Sequence, residues 1–175
     1  MKLIENGHVI ADRYVRVADD EALPEGAPVL VSADRLLREG AELARRGAPV
    51  GVVWPNNRRI EAIEPYLDQL ALIALVFPTF RDGRAYSQAR LLRERFDWQG
   101  PLRATGNVLR DQFLYMSRAG FDQLEATKDA DADAYVDELK SYTAFYQPTG
   151  DGRPTILRAR LGRVAEAPAQ AEAAE

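Results

Sequence analysis

A chain of 175 residues, 46% of them apolar, is long enough to bury a core and short enough to form one domain. Its formal charge of -4 supplies no positive field, so neither nucleic acid nor an anionic membrane is expected as a partner. With no cysteine it lacks disulfides, thiolate-held iron–sulfur clusters, a cysteine nucleophile and the usual structural zinc sites, so redox chemistry would need a borrowed centre.

The opening "MKLIENGHVIADRYV" has no basic segment followed by an apolar one, and no stretch approaches the length of a bilayer span. A cytoplasmic location is therefore expected. "HVIADRYVRV" alternates apolar and polar residues around Ala11 and Asp12, which predicts a short hairpin or an edge strand. A loop follows in "EALPEGAP", and "PVLVSA" reads as a buried strand whose Ser32 or Asp34 caps the next helix. Leu36, Gly40, Leu43 and Ala44 give that helix one apolar face.

"PVGVVW" is a second buried strand, "PNN" turns the chain, and Ile60, Ile63, Leu67 and Leu70 mark a helical stripe with Asn57 as its expected cap. "ALIALVFP" is the strongest strand, apolar on both faces, as a central strand covered by helices on both sides requires. In the next helix Ala85, Ala89, Leu92 and Phe96 recur at helical spacing, and "DWQG" ends it. "PLRAT" predicts a short strand, "GN" a turn with Asn107 as cap, and "VLRDQFLYMSRAG" a helix closed by Gly120. "FDQLEAT" reads as one more strand.

"DADADAYVDELKSYTAF" predicts a helix with acidic residues at the positive end of its dipole and Tyr135, Val136 and Leu139 on its apolar side. "QPTGDGRPTILRARLGRV" has room for a short strand or helical turn, and the closing "AEAPAQAEAAE" lacks large apolar residues and reads as disordered. The domain expectation is thus one α/β unit over residues 1–160 and a tail rich in Ala, Glu and Pro over residues 161–175.

Strand and helix alternate about five times with short connections, so right-handed crossovers and a mostly parallel sheet flanked by helices are expected. An open doubly wound sheet fits the length best, and a partial β/α barrel is the alternative. In either case function gathers where strands end and helices start. That rule selects the loops "WPNN", "FPTFRDGRAYS", "ATGN" and "LEATKD".

The second loop is the richest. Gly83 permits a tight bend, Arg81 and Arg84 offer planar forks suited to oxyanions, and Asp82 can orient one guanidinium. Ser87 and the helix N-terminus add donors for an anion, and Tyr86 adds an aromatic face. The competing structural reading makes Asp82-Gly83 an ordinary turn, pairs Arg84 with Asp82 or Asp111, and leaves Ser87 as a helix cap. Asp111 and Gln112 lie one turn into their helix, within reach of Arg84 or a ligand, although such residues more often satisfy neighbouring loops.

Other signals are weaker. "GNVLRDQ" has a single glycine and not the spaced set of a dinucleotide fingerprint or P-loop, so no cofactor is evident. His8 is the only histidine, which leaves no triad or multi-histidine metal site and reads as an edge-strand side chain. Asp12, Asp19, Asp20, Asp129, Asp131 and Asp133 lack the calcium-loop pattern and read as solvated acidic turns. Trp54, Phe77 and Phe80 are expected to complete the core, with Tyr86 as the exception among the aromatic residues near strand ends.

The stretches "LIALVFPTFRDGRAYSQARLLRER", "LRATGNVLRDQ" and "MSRAGFD" resemble the proteobacterial "domain of unknown function 934" family over residues 49–123. The family pattern falls on Phe77, Pro78, Phe80, Asp82, Gly83, Arg84, Tyr86, Ser87, Arg90, Arg93, Gly106, Leu109, Asp111, Gln112 and Gly120. This chain departs from it at Asn107, where an aspartate is usual, and at Ala119, where a cysteine is frequent. No thiol at that second position is therefore needed for a shared activity. Because relatives commonly lie beside genes for the siroheme and iron–sulfur sulfite reductase, the resemblance implies an accessory role in assimilatory sulfite reduction. The expected partner is the reductase or its electron donor. The alternative is an oxidoreductase acting on a sulfur oxyanion with a noncovalent cofactor, and a third reading has the basic helix "ARLLRER" binding an acidic partner directly.

Overall fold

A computed structural model describes residues 2–5, 8–126, 145–147, 149 and 155–157. Its strands are β1 (Lys2–Glu5), β2 (His8–Ile10), β3 (Val15–Arg16), β4 (Val29–Ser32), β5 (Val50–Trp54), β6 (Leu72–Phe77), β7 (Leu102–Gly106) and β8 (Gln123–Ala126). The α-helices are α1 (Ala33–Leu43), α2 (Arg84–Glu94) and α3 (Phe113–Arg118), with 3-10 turns at Ile60–Gln69 and Arg110–Gln112. The expected helix over residues 129–145 and the tail lie outside the described residues, apart from Phe145, which bridges Thr155.

All eight strands form one sheet in the order β2-β1-β8-β7-β6-β5-β4-β3. From β3 to β8 every neighbouring pair is parallel, and β1 runs antiparallel to both β8 and β2. The strand order advances in one direction without reversing, so right-handed crossovers put every connecting helix on the same face. The sheet is consequently wound singly and curls into a half-barrel, and the expected doubly wound arrangement with its switch point does not occur. The partial-barrel alternative is the observed architecture.

The curl can be measured by a side chain. β3 and β8 are five strand spacings apart, about 24 Å on a flat sheet and beyond the reach of any arginine. Yet Arg16 Nη2 of β3 lies 2.5 Å from Glu125 Oε1 of β8.

The convex face carries the main core. Val29, Val31, Val52, Trp54, Ile73, Leu75, Phe77, Leu102, Ala104 and Leu124 meet Leu36 and Leu43 of α1, Ile60 and Ile63, Ala85, Ala89 and Leu92 of α2, and Phe113 and Met116 of α3. The concave face has a smaller apolar group, Tyr14, Leu30, Leu72 and Ala74. This explains why β6 is apolar on both sides although helices cover only one: its other face, Leu72 and Ala74, is sealed by the barrel interior.

Local expectations divide by cause. Ser32 caps α1 by accepting from Arg35 N–H at 3.0 Å. Asn57 caps nothing, since the following turn begins after Arg59 with no side-chain cap, and Asn107 likewise precedes a 3-10 turn whose cap position is Leu109. The expected hairpin around Ala11 and Asp12 is absent: β2 and β3 sit at opposite edges of the sheet, joined by a strap over residues 11–14. β2 pairs instead with β1, which the sequence reading passed over.

Candidate functional site

The carboxyl ends of β5, β6 and β7 form a rim on which most of the expected site residues meet. β6 ends at Phe77, and the loop that follows reaches α2 at Gly83, which is an N-cap without a side chain to offer. Gly83 has φ -82° and ψ 5°, a backbone open to any residue, so the expected glycine bend is not needed there. Gly106, at the end of β7, does need glycine: its φ is +95°, and a Cβ would come within 2.5 Å of the Phe77 carbonyl oxygen. That close approach lets Asn107 N–H donate to the same oxygen at 2.7 Å, welding the ends of β6 and β7.

Arg84 forks onto Asp82, its Nε 2.9 Å from Oδ1 and its Nη2 2.6 Å from Oδ2. These bonds, with help from the Arg84 N–H, hold the Asp82 carboxyl well below the usual carboxylate range and raise Arg84 in turn. Arg81 places its guanidinium 5.3 Å from the Phe80 ring centre, a cation–π stack on a ring that is itself 46% exposed. Phe80 is thus on the surface and not in the core, whereas Trp54 and Phe77 are fully buried.

Gln112 ties the second loop to the first, donating from Nε2 to the Phe80 carbonyl at 3.0 Å while its Oε1 accepts from Leu109 N–H at 3.4 Å. Tyr86 packs edge-on to Phe77, Tyr115 and Phe121, with ring centres 5.0, 4.7 and 6.3 Å away. Burial, then the neighbouring Tyr115 and Asp111, pushes its phenol up to about 12, so it stays protonated. Tyr115 is 61% exposed beside it. Asp111 and Ser87 face solvent, and Ser87 makes no capping bond to α2. The rim is therefore a prominence of Phe80, Arg81, Arg84 and Tyr115 over a buttressed base.

The basic helix "ARLLRER" does not present a free cationic stripe. Arg90 pairs with Glu94 at 3.0 Å. Arg93 turns inward, donating to the carbonyls of Gly120, Trp98 and Gly100 and to Asp122. It is a staple between α2 and the ends of β7 and β8.

A second constellation lies on the concave face and escaped the sequence reading. Arg103, 1% exposed, donates from Nε to Gln123 Oε1 at 3.0 Å and from Nη1 to Glu125 Oε1 at 3.3 Å. Its Nη1 and Nη2 reach both oxygens of Asp12 at 2.8 and 3.1 Å. Thr105 donates to Glu125 Oε2 at 2.5 Å and accepts from Arg16 at 3.2 Å. Burial works against ionisation of Asp12, but the bonds from Arg103 and Tyr14 N–H and the charges of Arg103 and Arg16 outweigh it and lower its carboxyl. Asp12 is therefore an ion-pair partner and not the expected solvated turn. The available signal was the alternation in "LRATG" and "QLEA", which sends Arg103, Thr105, Gln123 and Glu125 to one face.

Among the described residues no three His, Asp or Glu side chains gather as a metal site, and no helix is long and apolar enough to cross a membrane. A family model described as a bacterial protein of unknown function, DUF934, matches residues 51–157, more than half of the chain. No curated protein matches it.

Proposed function

We propose, since the chain belongs to the DUF934 family of bacterial proteins, that it is an accessory protein of assimilatory sulfite reduction which docks through its rim on the sulfite reductase or its electron donor. The observation that carries this reading is the projecting pair of Phe80 and Arg81, an exposed aromatic ring bearing a guanidinium. Exposed aromatic and arginine side chains are the residue types that anchor protein interfaces. Arg84 is held by Asp82 and the loop is braced by Gln112, so the prominence is preorganised and little ordering entropy opposes docking.

The same features favour a macromolecular face over a small-anion pocket. A pocket needs convergent donors with unfilled capacity, and here one arginine fork is occupied by Asp82 while the other lies on a ring. The partner surface suited to this prominence is acidic beside an apolar recess. The pathway assignment rests on the genomic setting implied by the family resemblance.

Loss of the gene should slow growth on sulfate or sulfite and spare growth on cysteine; equal growth on all three would refute the pathway assignment. Capture of the reductase complex by the tagged protein should fall at least tenfold for Phe80→Ala with Arg81→Glu, with the melting temperature unchanged.

A further inference from the structure

We propose that the concave face of the half-barrel is a binding site for a small aliphatic carboxylate, with Arg103 as its receptor and Asp12 as a built-in occupant that the ligand displaces. The site is separate from the rim and does not depend on the docking role.

Arg103 is presented as a receptor would be. Gln123 and Glu125 hold it from the sheet side, and the outer edge of its guanidinium meets Asp12 through two parallel bonds of 2.8 and 3.1 Å. This is the planar fork geometry by which arginine recognises any carboxylate. Asp12, however, does not belong to the sheet. It lies in the strap over residues 11–14, between a strand of three residues and one of two, and its side chain is 34% exposed.

Two clefts flank the strap, of about 270 and 280 Å3, and Leu3, Ile10 and Asp12 border both. When the Asp12 carboxylate leaves, the fork faces the cleft that Arg103 itself lines, beside Leu3 and Ile10, and the cations Lys2 and Arg16 border the cleft on the other side of the strap. The volumes fall below the roughly 300–1,000 Å3 typical of drug-sized ligands, so the occupant is small.

The docked strap also carries a defect. Tyr14 is buried against Leu30, Leu72 and Ala74, and its hydroxyl has no hydrogen-bond partner among the described residues. An unpaired buried hydroxyl penalises the docked state, and opening the strap returns it to water. A ligand that binds only the open state then shifts the population by its differential affinity.

Hexanoate titrated calorimetrically into the full chain is the probe, with hexanol and sulfate as controls. Hexanoate should bind and hexanol should not. Asp12→Ala should bind hexanoate at least tenfold more tightly than the wild type, and Arg103→Met should not bind it. Tyr14→Phe removes the defect of the docked strap, so it should bind several-fold more weakly. Tyr14→Phe keeps every ion pair and carries the comparison should Asp12→Ala fail to fold. Hexanoate binding no stronger than hexanol in both wild type and Asp12→Ala, unchanged affinity in Tyr14→Phe, or tighter binding of sulfate than hexanoate would each overturn the assignment.

Discussion

Two glycines on the rim look alike in sequence and differ in physics. Gly106 combines a left-handed backbone with a carbonyl oxygen 2.5 Å from where a Cβ would sit, and that oxygen belongs to a central strand that cannot retreat. Gly106→Ala should therefore destabilise the fold by at least about 2 kcal/mol, read from urea denaturation. Gly83 has an ordinary φ, and its nearest foreign atom to a new Cβ is 3.7 Å away, so Gly83→Ala should change stability by less than about 0.5 kcal/mol. Arg93 makes a similar contrast with Arg81. Its fork serves three carbonyls and Asp122 at once, geometry that an ammonium cannot reproduce, so Arg93→Lys should cost about 2 kcal/mol. Asp12 supplies the pH dependence. Its folded carboxyl lies below the ordinary value of 3.8, so its contribution is present above 3.8 and is lost as pH falls through the lower folded value. The gap in urea midpoint between wild type and Asp12→Asn should accordingly be widest near neutral pH and close on acidification past 3.8.

At the scale of elements, Ser32 shows what local chemistry determines. Its hydroxyl oxygen accepts from Arg35 N–H while its proton goes to Asp19, so Ser32→Ala should lower stability by about 1 kcal/mol and fray the first turn of α1 in hydrogen exchange. The cap and the strand patterns of β4 to β8 were legible because each follows from neighbours in sequence. Asn57 and Asn107 misled because a cap is useful only where a helix begins at the next residue, and each is followed by two further extended or turn residues. β1 hid because "KLIE" is short, though the Asn-Gly pair at positions 6 and 7 is the two-residue hairpin signal that would have paired it with β2. The alternation of "HVIADRYVRV" was real, but periodicity reports which side chains share a face and not which strand lies next door. So β2 and β3 could be adjacent in sequence and at opposite edges of the sheet. The rim residues were legible through the rule that loops follow strand ends, yet that rule gives position and not pairing. Arg84 took Asp82, one of the two partners its sequence neighbourhood offered, whereas it was the fold that sent Gln112 to the Phe80 carbonyl.

For the molecule as a whole, the concave network decides how the curled sheet is held. Arg16 on the β3 edge and Arg103 on β7 converge on Glu125 of β8, so one buried carboxylate joins distant parts of the half-barrel. Such a cluster is seldom a source of net stability, because desolvation of the charges offsets their attraction. Removing one partner is a different matter, since it strands the others. Glu125→Ala leaves Arg103 buried with a missing acceptor, and should cost about 3–5 kcal/mol. Replacing Arg103 by Met together with Asp12→Ala and Glu125→Leu removes the buried charges in one step and leaves Arg16 to solvent. Denaturation of that triple variant should fall within about 1 kcal/mol of the wild type. A triple variant as unstable as Glu125→Ala would mean that the ion pairs themselves close the barrel, through directional bonds that apolar packing cannot replace. Recovery would leave the charges without a stabilising role, and a buried arginine aimed at a removable carboxylate would then be explained by recognition.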